Sequence, residues 1–143
     1  MIKFVRTNDN ATIPSYHTKA AVGFDFASSE DVFIPAWTTM MVPLGLKCEF
    51  SNDLELQIRG RSSNAKRNII IPHGVGTVDP DYRGELSVPL FNASNHPLFI
   101  STGERIAQGV LSPITRQSIQ EVDASELSET SRGEGGFGST GTH

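Results

Sequence analysis

The chain has 143 residues, enough for one hydrophobic core and too few for two ordinary domains. Twelve basic residues against 16 acidic ones give a formal charge of −4, which argues against binding nucleic acid through an overall positive field. The single Cys48 excludes an internal disulfide and a thiolate zinc cage, and no window approaches the ~20 apolar residues of a membrane span. The first ten residues, MIKFVRTNDN, lack the apolar run of a signal peptide. The expected location is the cytoplasm, with the nucleus or a virus-infected cell also compatible.

Ile2 and Phe4 alternate with Lys3 and predict a first strand. Ala20 to Ser28 is an apolar run with Asp25 in its middle, and a buried carboxylate there needs partners, whether a structural arginine, a backbone turn or a metal-bound water, with a structural role expected. Val32-Phe33-Ile34 is a short strand closed by Pro35. From Met40 to Phe50 the even positions are apolar, Cys48 among them as a buried thiol, and Leu54, Leu56 and Ile58 repeat the pattern. Only Ser62 to Arg67 suits a short helix, with Ser62 or Ser63 as N-cap. Ile69 to Ile71, Leu98 to Ile100, Ile106 to Leu111 and Ile114 to Val122 supply the remaining strands. About ten short strands broken by Gly, Pro, Asn and Ser predict an all-β sandwich or barrel over residues 1–127. Residues 128–143 turn to Ser, Glu, Thr and Gly, and form a flexible arm.

The richest stretch runs from His73 to Asn92 and reads as a hairpin. Asp79-Pro80-Asp81 is turn chemistry, and Leu86, Val88 and Leu90 alternate on the outgoing strand. The turn carries Asp79, Asp81, Tyr82 and Arg83 together, more chemistry than a plain turn requires.

In the arm, Arg132 and Phe137 stand among glycines, where a bare linker has no use for them. Glycine-rich backbone turns N–H groups toward phosphate oxygens, and an aromatic ring covers a flat base. The spacing Gly133 to Gly138 is not a P-loop, because Ser139 stands where that motif needs lysine and no flanking strand and helix are predicted. Gln57 to Ser63 places Arg59, Arg61, Ser62 and Ser63 at a strand end, an anion site or a solvated basic turn. Gly103 to Gln108 is, by itself, an exposed turn entering a strand. His17, His73, His96 and His143 show no ligand spacing, and no GxSxG frames a serine, so zinc and Ser–His–Asp hydrolysis are both unsupported. From the residues alone this is a phosphate-handling β protein with a carboxylate in a rigid turn. Mg²⁺ is expected, held largely by the ligand's own phosphates.

Five segments, AAVGFDFAS, GRSSNA, GTVDPDYRGEL, GERIAQ and RGEGGFGSTG, occur in the order found in the trimeric deoxyuridine triphosphatases (dUTPases), and the chain resembles that family over nearly its whole length. The third and fifth segments are the specific ones. The resemblance implies a jelly-roll-like subunit and a homotrimer. Its active sites would lie between subunits, each closed by a neighbour's C-terminal arm, and it would hydrolyse dUTP to dUMP and pyrophosphate with Mg²⁺. It implies Asp79 as the water-activating carboxylate and Tyr82 as the ring under the deoxyribose. His73, Gly74, Val75, Gly76, Thr77 and Val78 would read the uracil edge. Arg61, Ser62, Ser63 and Gln108 would contact phosphates, and Asp25 would support the metal through water. Arg132, Phe137, Gly138, Ser139 and Thr140 would form the closing arm, with Phe137 stacked on uracil.

The sequence departs from the family pattern in three places. Ser63-Asn64 replace the usual Gly-Leu, Glu104 replaces an Asp, and Pro80 stiffens the third motif. The related dCTP deaminases share the fold but need a Glu where Pro89 stands, and proline cannot transfer a proton. A regulatory binding protein built on the same fold is the alternative from another class, with nucleotide hydrolysis secondary.

Overall fold

The computed structural model describes residues 1–139 and 141. Eleven strands occur among them: β1 (Lys3–Arg6), β2 (Phe24–Ala27), β3 (Val32–Ile34), β4 (Thr39–Pro43), β5 (Leu46–Glu49), β6 (Leu54–Gly60), β7 (Ile69–Ile70), β8 (Gly76–Val78), β9 (Ser87–Asn92), β10 (Leu98–Ile100) and β11 (Arg105–Pro113). One helical turn, α1 (Ser62–Ala65), follows β6, and a 3₁₀ turn spans Ala124–Glu126. The pairing is antiparallel throughout, in a four-stranded sheet β2-β11-β6-β8, a three-stranded sheet β4-β9-β7 and two ribbons, β1-β5 and β10-β3. The fold is the all-β, jelly-roll type expected, with one short helix.

Both larger sheets turn their alternate residues into one core. Phe24 and Phe26 from β2, Leu56 and Ile58 from β6 and Ile106 from β11 meet Val42 from β4 and Val88 and Leu90 from β9. Period two makes this possible: on β9 Val88, Leu90 and Asn92 are buried while Ser87, Pro89 and Phe91 are half-buried on the other face. Phe4, Phe24 and Phe26 meet edge to face with centroids 5.4 to 6.1 Å apart. The buried amide of Asn92 donates to the carbonyls of Ile34, Pro35 and His96 and accepts from Ser94, which holds the end of β3 to the loop after β9. Cys48 is buried as expected, and burial pushes its thiol pKa up, with Arg83 opposing.

The alternation from Met40 to Phe50 is interrupted where the chain leaves β4 for β5. Gly45, at φ 64°, supplies the left-handed turn that a side chain would resist. Met40, at the outer end of β4, is exposed, whereas Val42, Leu44, Leu46, Cys48 and Phe50 are buried.

Three expectations are corrected. The stretch from His73 to Asn92 is not a hairpin: β8 pairs with β6 in one sheet, and β9 with β4 and β7 in the other. Leu86 explains the crossing, because its N–H donates to the Leu46 carbonyl (2.8 Å) and its carbonyl accepts from Leu44 (3.0 Å). The outgoing chain is thus captured by the β4–β5 corner instead of folding back on β8. No strand forms from Ile114 to Val122; after Pro113, among the described residues, the chain is hydrogen-bonded to the sandwich by Ile114 and Arg116, which donate to the carbonyls of Asp53 and Asn52. Finally, the N-cap of α1 is Arg61, without a side-chain bond, and neither Ser62 nor Ser63 caps it.

Candidate active site

One cleft forms where β8 runs into the loop leading to β9. It has a volume of about 210 Å³ and is lined by Ile58, Thr77, Val78, Asp79, Tyr82, Glu85, Leu86 and Ser87. The turn Asp79-Pro80-Asp81-Tyr82 closes through the Tyr82 N–H to the Asp79 carbonyl, 3.1 Å, with proline at the position whose φ it pre-sets. Pro80 is buried, and its carbonyl accepts from Arg83 (2.7 Å), whose guanidinium also donates to the Tyr82 carbonyl (2.9 Å). The departure at Pro80 therefore stiffens the mount of Asp79, whose exposed side chain lines the cleft.

Tyr82 lies across Gly84 and donates to the Glu85 carbonyl at 3.1 Å. A Cβ at Gly84 would collide with the phenol ring, so glycine is what lets the ring lie there. On the approach to β8, the Gly74 N–H donates to Ile71, and the ring of His73 sits against Gly76. The segment His73 to Val75 is exposed, and Gly76 to Val78 forms the edge strand of the four-stranded sheet. One side of that strand pairs with β6, which leaves its other edge of N–H and C=O groups free for a ligand.

A second cluster lies at the far end of β6. Asp25 on β2 is the hub, its side chain 17 % exposed: Oδ1 lies 3.2 Å from Arg61 Nε, and Oδ2 lies 3.1 Å from an Arg105 guanidinium nitrogen and 3.3 Å from His17 Nε2. Of the partners open to Asp25 from sequence, the structure supplies two arginines, with His17 beside them. Gln108 sits opposite Asp25 on β2 and Arg59 on β6, and its amide donates to the Gly60 carbonyl, 3.2 Å. Arg61 also donates to the Arg105 carbonyl, 2.9 Å. Ser62 and Ser63 are exposed on α1 beside it. Two arginines on one carboxylate leave a net positive charge, suited to an anion. Glu104 reaches Arg67 in an ion pair, so the longer acid at this position ties the end of α1 to the start of β11.

These two clusters share no residue. Val78 stands opposite Leu56 and Ala107 opposite Gly60, so Asp79 is level with Glu55 near the start of β6 and Arg61 lies just past its end. At about 3.3 Å per strand residue, they are on the order of 20 Å apart along the strand. The arm joins neither cluster. Among the described residues, every hydrogen bond from residue 117 onward closes within that segment, such as Arg132 to the Gly135 carbonyl. The ring of Phe137 is fully exposed, and Gly138 and Ser139 lie in the same outlying turn. Thr140 and His143 lie outside the described residues.

Sequence reading alone gave no role to His17 or Asn64. His17 sits in a polar loop with no periodicity, and its meeting with Arg105 at 3.0 Å joins positions 88 residues apart. Among the described residues no three His, Cys, Asp or Glu side chains converge as a metal cage. Both carboxylate oxygens of Asp25 face an arginine.

A β-sandwich that sets one carboxylate in a cleft and an arginine pair on a second carboxylate has groups suited to a phosphate-handling enzyme. A family profile for dUTPase matches residues 9–141. The chain is 47 % identical over 141 residues to the deoxyuridine 5'-triphosphate nucleotidohydrolase of Nautilia profundicola, with 98 % of each chain covered. It is 42 % identical to the enzyme of the same name from Crocosphaera subtropica, again covering 98 % of each. Among solved structures, the Staphylococcus bacteriophage 80alpha dUTPase with dUpNHpp superposes with a TM-score of 0.89 at 23 % identity, covering 99 % of this chain and 98 % of that one. A dUTPase from phage phi11 of S. aureus, described with a structural Mg(II) ion, gives a TM-score of 0.82 at 18 % identity, covering 89 % and 99 %. This chain belongs to the dUTPase family.

Proposed function

We propose that the chain is a dUTP pyrophosphatase, hydrolysing dUTP to dUMP and pyrophosphate. The observation that carries the mechanism is Asp79, exposed in the cleft on a turn braced by Pro80 and Arg83, with Tyr82 beside it. An ionised Asp79 takes a proton from a water aimed at the α-phosphorus. The water oxygen bonds to phosphorus, the bond to the bridging oxygen breaks, and pyrophosphate leaves with that electron pair. Arg61 and Gln108, with Ser62 and Ser63, hold the phosphates and take up the developing charge. Tyr82 packs under the deoxyribose, where a 2′-hydroxyl would clash, and the free edge from His73 to Val78 reads uracil. A Mg²⁺ ion carried by the triphosphate would supply charge neutralisation on the phosphates, and Asp25 is the residue that would hold it through water.

A triphosphate cannot bridge from Asp79 to Arg61 of one chain by the path along β6. That separation supports an active site between subunits of a homotrimer, the cleft from one copy and the arginine cluster from another. The isolated arm, carrying Arg132, Phe137, Gly138, Ser139 and Thr140, is then free to cover a neighbour's site, with Phe137 stacked on the base. Deamination is disfavoured, because Pro89 stands on β9 facing away from the core, paired with Met41, and offers no proton.

The test is pyrophosphate release from dUTP beside dTTP, dCTP and UTP, with Mg²⁺ and with EDTA. Release from dUTP alone, lost with EDTA, is the expected result. No release from dUTP would overturn the reading, and conversion of dCTP to dUTP would replace it with deamination.

A further inference from the structure

Asn64 is the buried residue of α1, 6 % exposed. It stands where the family pattern noted above has leucine. Its side-chain amide donates to the Ile106 carbonyl at 2.8 Å, and its backbone N–H donates to the Arg61 carbonyl at 3.0 Å. A helix of one turn has almost no stability of its own, so its position depends on what it touches. Asn64 joins it to β11 at Ile106, between Arg105 and Gln108. The Arg61 guanidinium bonds the Arg105 carbonyl, and Gln108 bonds back to Gly60.

We infer that Asn64 is a positioning residue for the phosphate half of the site. It sets the separation between the turn carrying Arg61, Ser62 and Ser63 and the strand carrying Gln108. The inference rests on the proposal that these residues hold the triphosphate. A leucine here would fill the volume but leave the Ile106 carbonyl without its donor, and α1 would settle elsewhere on β11. Cations misplaced by about 1 Å serve a triphosphate poorly, while the nucleoside cleft, which shares no residue with α1, is unchanged.

The experiment compares Asn64→Leu and Asn64→Ser with the parent for kcat and KM on dUTP, and for inhibition by deoxyuridine, which has no phosphate. Asn64→Leu is expected to lower kcat/KM for dUTP about tenfold, chiefly through KM, with deoxyuridine inhibition within about twofold of the parent. Unchanged kcat/KM, or deoxyuridine affinity falling in the same proportion, overturns the inference. If Asn64→Leu does not fold, Asn64→Ser gives the same readout, and if neither folds the residue serves folding alone and the inference fails. Arg61→Gln is measured in parallel. Parent-like kinetics there would remove the phosphate-site reading itself, whereas loss in Arg61→Gln with none in the Asn64 variants removes only the positioning role.

Discussion

Arg61 Nε lies 3.2 Å from Oδ1 of Asp25, and this pair is the pivot of the arginine cluster. The carboxylate holds two guanidinium groups, Arg61 and Arg105, that would otherwise repel each other. Asp25→Asn keeps the shape and removes the charge. The expected outcome is a loss of about tenfold in kcat/KM for dUTP, mostly in KM, steeper at low salt because the arginines are only partly shielded from water. Steady-state kinetics at two ionic strengths would check it.

The carboxylate of Asp79 makes no hydrogen bond or ion pair among the described residues, and this exposed group should matter to chemistry far more than to folding. Asp79→Asn is expected to lower kcat by about 10²- to 10⁴-fold with an unchanged melting temperature. Parent-like turnover would remove Asp79 from its role.

Gly84 is set by the ring of Tyr82, which occupies the space a side chain would need. Gly84→Ala should swing the phenol from its bond to the Glu85 carbonyl and open the sugar side of the cleft. Hydrolysis of UTP relative to dUTP is then expected to rise by about tenfold or more. An unchanged ratio would show that the ring does not decide sugar choice.

Asp31 accepts from both the N–H and the hydroxyl of Thr102, at 2.7 and 2.9 Å, and these bonds hold its pKa below the usual carboxylate value, backbone bond first. A depressed folded-state pKa contributes stability above the unfolded value, about 3.9, and loses it as pH falls through the folded value. Asp31→Asn should therefore melt below the parent near neutral pH, with the two curves converging in acid. A thermal-melt series across pH would reveal the convergence.

Phe137 contributes nothing to the core, its ring being fully exposed. Phe137→Ala should leave the melting temperature and oligomeric state unchanged while raising KM for dUTP, since a stacked base is worth about 1–3 kcal/mol in comparable aromatic platforms. A destabilised or unfolded variant would contradict the arm.

Much of this was written into local sequence. Strict alternation on β9 and on β5 announces two-sided strands, because the side-chain period of a strand is two whatever its neighbours are. The chemistry of Asp79-Pro80-Asp81 announces its turn for an equally local reason, a φ angle set by the proline ring. The apolar residues from Ile114 to Val122 misled because they have no partner strand beyond Pro113, and apolar character without a partner does not make a strand.

What the tertiary structure alone decided is which strands pair and which distant charges meet. Period two cannot distinguish a hairpin from a crossing between sheets, and Leu86 settles that choice through its bonds to Leu44 and Leu46. Nor does any local pattern bring His17 to Arg105, Asn64 to Ile106 or Asp25 to its two arginines, since each pair is joined only when β2, β6 and β11 close into one sheet. Sequence by itself determined most of the strands and the turn. Packing determined the division of the chemical groups into two clusters, because strand register, and not spacing along the chain, sets the distance from Asp79 to Arg61.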